Sequence, residues 1–215
     1  STGCPWTKLY RKNFIKENNL QFMETHRSND LYFVCISLAM AKRVTILEEK
    51  LVNYRKSSGS LQANNANSPW DWYEALKAVR TKLMELGIYE DVEYSYKNYV
   101  LDVSFYNLES MGNAQVFSMV YEKIKKEIFK ELGMEELKKE EINSWNEKYY
   151  EQYLQLKASG EKEYLFYRIK ELKKENQYWM ERARKAEQDT KNNIIYITAR
   201  NIWIMARRIL RKKGN

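Results

Sequence analysis

The chain has 215 residues, 44% of them hydrophobic and 14% aromatic, enough apolar material for one sizeable core and too much for a disordered polymer. Two prolines and seven glycines favour long helices over an all-β sandwich, and the two cysteines, Cys4 and Cys35, make no disulfide framework. The net charge of +8 is local: seven of the 37 basic residues and none of the 29 acidic ones fall in 191–215, so the rest is nearly neutral and a globally basic nucleic-acid face is excluded.

From the N-terminus, "WTKLYRKNFIKENNLQF" predicts a short helix from about Lys8 to Asn18 and an extended piece over Leu20 to Met23. "NDLYFVCISLAMA" is a strongly apolar helical run from Asp30 to about Lys42, with Cys35 as a small core residue that fits a reducing compartment. The β-branched "RVTILEEKLVNYR" reads as a strand. Arg55 to Asn67 is small and polar, so an exposed loop is expected. Ser68 as cap, Pro69 at the first helical position and Asp71 in the first turn open the next helix. Trp72, Leu76, Val79, Leu83 and Leu86 give it one apolar face, and Gly87 stops it. Helices over Tyr89 to Leu108 and Asn113 to Leu132 follow, the second ended by Gly133.

Beyond Gly133 the chain becomes charged and tyrosine-rich, with a break near Gly160. Leu165, Ile169, Leu172, Asn176, Trp179, Ala183 and Ala186 then recur at alternating steps of four and three. That is a heptad seam, with Asn176 at an a position where a buried amide can set register. It reads either as a coil with a second helix or as one amphipathic helix on its own domain. In the last segment Ile195, Ile202, Met205 and Ile209 oppose Arg200, Arg207 and Arg211, a pattern suited to an anionic membrane surface or to further helix packing. No run reaches the roughly 18 apolar residues of a membrane span.

The inventory of reactive groups is short. One histidine, His26, excludes a multi-histidine metal site and triad chemistry. Asp91-Val92-Glu93 is the nearest approach to Asp-x-Asp and reads as an ordinary first helical turn. Asp30 is left, heading the apolar helix, where a carboxylate serves equally as a cap and as a general base.

The pattern "W-x-K-L-Y-R-x-x-F-I-x-x-N-x-L-x-F" from Trp6 to Phe22, then "S-N-D-L-Y-F-V" and "L-V-N-Y-R", resembles the second half of a family 2 glycosyltransferase, and the likeness runs from Trp6 to about Leu132. The resemblance implies an inverting GT-A-type enzyme that moves a sugar from a nucleotide donor to a glycan or lipid-linked acceptor, typically in bacterial surface polysaccharide synthesis. It implies Asp30 as catalytic base, in an Asn29-Asp30 pair where the family commonly has Glu-Asp. Tyr54, Arg55 and Gln62 in the loop, with Trp6 and Lys8 at its entry, become candidate substrate contacts. A divalent Mg or Mn ion is expected for the complete enzyme and no cofactor in this chain, because the nucleotide-binding half with its Asp-x-Asp would precede Trp6. The chain alone is therefore expected not to transfer sugar.

The resulting expectation is a mainly α chain with a small β remnant: residues 1–67 as the C-terminal part of a GT-A domain, 68–133 as a helical bundle, and 134–215 as a helical, coiled-coil extension with a basic tail. Besides the sugar substrates, the expected partners are a second copy through 165–186 and an anionic membrane surface through 194–213, with no nucleic acid. The expected location is cytoplasmic or peripheral on the inner face of the membrane. The other class of reading is a non-catalytic helical module for self-association or membrane tethering.

Overall fold

The computed structural model describes residues 3–49, 51–53 and 65–212, without the side chains of 195, 196 and 199–212. The chain divides into two compact units, Ser1–Glu161 and Lys162–Asn215. In the first, a 3-10 turn at Pro5–Thr7 precedes α1 (Lys12–Glu17) and α2 (Asn29–Met40). Then come α3 (Asp71–Glu85), α4 (Tyr89–Glu109), α5 (Ala114–Lys123), a π-helical turn at Ile124–Ile128, α6 (Phe129–Glu131) and α7 (Glu147–Ala158). The helix α8 (Glu161–Lys212) runs on as the second unit.

Each helix of the first unit has a readable cause. Gly87 and Gly133 take positive φ of 66° and 74° after α3 and α6, a conformation that favours glycine and stops a helix. The side chain of Asn113 accepts the Val116 N–H at 3.1 Å and opens α5. On α3, Trp72, Leu76, Val79 and Leu83 are buried, while Leu86 is only half-buried. They pack between α2 and α4. Val100, Leu101, Phe105 and Leu108 of α4 are fully enclosed, and Phe105 meets the rings of Phe129 and Tyr149 at 6.1 and 5.9 Å. Burying side chains of this size supplies about 1.5–3 kcal/mol each, which is why packing and not propensity holds these short helices.

The sheet remnant expected from "QFM" and "VTILEEKLVNYR" is not formed; among the described residues there is no strand, and the first unit is a helical bundle instead of the tail of a GT-A fold. The physical reason is non-local. A strand needs partner backbone, and the Leu20 and Met23 amides are instead bonded to Ile15 O and Asn29 O at 3.0 and 3.1 Å. Val44, Ile46, Leu47, Leu51 and Val52, however β-branched or apolar, lie exposed in irregular chain. Among the described residues no helix is long and apolar enough to cross a membrane.

Candidate functional site

Asp30 is the second residue of α2 and is half-buried. The helix begins at Ser28, which holds a left-handed φ of 54° and makes no side-chain cap. The Leu31 amide at that end donates to the Ser28 carbonyl at 3.1 Å, and the amides of residues 30 and 31 favour the ionised form of the Asp30 carboxyl. Burial nevertheless dominates and raises its pKa above the ordinary 3.8, with these amides and the Lys8 ammonium pulling the other way.

Lys8 stands near because the turn at Pro5–Thr7 folds it back. Its Nζ donates to Cys4 O at 2.9 Å and to Thr7 Oγ1 at 3.1 Å, and its charge is felt by both Asp30 and Cys35. Burial pushes the Cys35 thiol up to about 12, the Lys8 charge and the nearby Tyr99 hydroxyl acting against it. Burial also raises the Tyr99 hydroxyl, and the Asp102 and Asp30 carboxylates add to the effect. The chain passes so close that a methyl group on Gly3 would lie 2.5 Å from Tyr99 Oη. Lys8, Asp30, Cys35 and Tyr99 therefore form one polar cluster between the N-terminal turn, α2 and α4, with Asp102 beyond it.

Of the sequence-derived candidates, the fold brings Lys8 and Asp30 into electrostatic reach. Trp6 sits in the same turn as Lys8, 48% exposed. Asn29 is exposed at the first position of α2, and its carbonyl accepts from Met23. Tyr54, Arg55 and Gln62 lie outside the described residues. Tyr99 went unnoticed in the sequence, and Cys35 is read there only as a small core residue; the one local sign is that Tyr99 and Asp102, three apart, share a face of α4.

Two shallow cavities lie elsewhere on the first unit. One of about 320 Å³ is lined by Asn18, Asn19, Gln21, Phe22, Tyr32 and Lys82 among others. The other, about 480 Å³, continues along α3 past Lys77, Thr81 and Glu85. Neither includes Asp30. Among the described residues no group of three or more His, Cys, Asp or Glu side chains is placed to hold a metal ion.

The second unit carries a different surface. Leu165, Ile169, Leu172 and Trp179 of the heptad seam are exposed, Ile169 and Leu172 by 51% and Trp179 by 60%. The helix is supported along its length by its own pairs, Lys174 with Glu171 at 2.7 Å and Lys191 with Glu187 at 2.7 Å. The Arg182 guanidinium lies over the Trp179 ring at 5.5 Å.

No family model matches the chain, and no curated protein or solved structure is detectably similar to it.

Proposed function

We propose that the chain is the acceptor-side portion of a nucleotide-sugar-dependent inverting glycosyltransferase, with Asp30 as general base. The observation that carries the reading is the half-buried, desolvated carboxyl of Asp30 beside Lys8, two groups drawn from the motifs that bear the resemblance. The chemistry asks for such a group. As an acceptor hydroxyl attacks the anomeric carbon it must lose its proton, and a carboxylate whose basicity is raised by burial takes it more readily. The oxygen of the hydroxyl bonds to the anomeric carbon, the bond to the nucleoside diphosphate breaks, and the proton passes to Asp30. The Lys8 charge favours the ionised form of the carboxyl against burial, and the exposed Trp6 face offers a surface on which a sugar ring can stack.

The test is sugar transfer by the longest open reading frame that contains these residues, with and without Asp30→Asn. Loss of a well-placed base costs about 100-fold or more in kcat, with the far-UV circular dichroism unchanged. Transfer within a few-fold of wild type would remove Asp30 from the reaction.

A second reading is favoured by the exposed seam of α8: a helical association module. A single helix cannot bury its own apolar stripe, and an exposed row of large side chains marks a surface made for a partner.

A further inference from the structure

We infer that α8 pairs with α8 of a second copy of this chain in antiparallel orientation, centred between Gln177 and Tyr178. The inference rests on the second reading above, that the seam is an association surface, and adds the occupant, the direction and the register.

Size complementarity along the seam is the first argument. The large residues Ile169, Leu172 and Trp179 lie towards its N-terminal side and the small Ala183 and Ala186 towards its C-terminal side. A parallel, in-register pair would stack like on like. Two indoles would crowd one layer, and two layers would hold only methyl groups. Cores are neither overfilled nor left void without cost. Antiparallel pairing about the stated centre sets Leu172 against Ala183, Ile169 against Ala186 and Asn176 against Trp179. Every one of these layers then joins a large side chain to a smaller one. The Trp179 indole N–H, which can only donate, also faces the Asn176 carboxamide, which can accept. That removes the penalty of burying the amide alone.

Charge complementarity is the second argument, and it selects the register. With Asn176 at a and Trp179 at d, Glu175 and Arg182 both occupy g positions, which face each other across an antiparallel coil. Both residues are exposed. The arrangement joins Glu175 of each copy to Arg182 of the other. Slipping one heptad one way puts Glu175 against Glu175; slipping the other way puts Arg182 against Arg182 and Glu175 against Asp189. Both neighbouring registers are repulsive. In the parallel coil Glu175 would face the neutral Met180, and Arg182 would face Glu187, which is already bound to Lys191 at 2.7 Å within its own helix.

The test is sedimentation equilibrium on the full chain and on Glu175→Arg, Arg182→Glu and the double exchange. All changes fall on exposed helical positions, and circular dichroism checks that the helix persists. The wild type is expected to dimerise. Each single reversal turns two attractions into two repulsions and should raise the dimer dissociation constant about tenfold. The double exchange re-forms the pairs with their signs inverted and should return it to near the wild-type value. A monomeric wild type would overturn the association reading and the inference with it. A wild-type dimer that Arg182→Glu weakens, that Glu175→Arg leaves intact and that the double exchange does not restore is a parallel coil. That outcome overturns the orientation alone. A dimer indifferent to all three changes overturns the register.

Discussion

Asp30 is the acidic residue in the first turn of α2. Ser28 at the N-cap offers that end no side-chain hydrogen bond, and burial of the Asp30 carboxyl lifts its pKa. The asymmetry between the two helix-ending glycines is a second residue-scale consequence. Gly87 has a φ of 66° and open space around a hypothetical Cβ; Gly133 has a φ of 74°, and a Cβ there would meet the Arg80 guanidinium at 3.2 Å. Gly87→Ala should cost about 1 kcal/mol from backbone strain alone. Gly133→Ala should cost more, about 2 kcal/mol, because the side chain that must move also lies over the Tyr89 ring at 5.4 Å. Urea midpoints of the two variants check the order; equal midpoints would show that Arg80 yields freely.

Among the elements, α4 does most to unite the first unit, and Asn98 is its polar anchor. Its Nδ2 donates to Glu141 O at 2.7 Å, its Oδ1 accepts from Asn143 N at 2.9 Å, and Asn146 Nδ2 donates to its carbonyl at 2.7 Å. Lys97 beside it reaches Glu141 and Glu93 at 2.5 and 3.1 Å. Asn98→Ala would strand the Asn143 amide and the Glu141 carbonyl, at a cost of about 1–3 kcal/mol read as a lower denaturation midpoint. No change would show that water replaces the amide. What could be read from sequence follows the range of the forces. The helix α3 with its repeating apolar face and glycine stop, α4 after it, and the run from α5 to α6 that Gly133 ends stand close to where local pattern placed them. Their details escaped wherever a distant group intervened. Asp71 spends its carboxylate on the Arg27 N–H at 2.7 Å, 44 residues away, and α3 starts after Trp70 without the expected Ser68 cap. The π turn at Ile124–Ile128 interrupts a run that reads as one helix, and it does so while keeping Ile124, Ile128 and Phe129 all buried. The misread strand shows the same limit from the other side, because β-branched residues state a preference and only a neighbouring backbone can satisfy it.

Taken whole, the molecule joins a helical unit with a polar cluster near its N-terminus to a helix of 52 residues with an unburied seam. The exposed seam was legible as a heptad because that signal is local and periodic. The cluster was only half legible: the motif marks Lys8 and Asp30, whereas Tyr99 joins them through packing that no spacing announces. The proposed base and the proposed association surface belong to different units of the chain. If Asp30 acts as a base, its ionisation is read in the pH dependence of sugar transfer by the longest open reading frame that contains this chain. The ionised carboxylate is the active form, and burial makes ionisation require a higher pH. The rate should therefore rise through an acid limb whose midpoint lies above the ordinary carboxylate value of 3.8 and which disappears in Asp30→Asn along with most of the activity. The same limb persisting in Asp30→Asn at an undiminished rate would contradict the account.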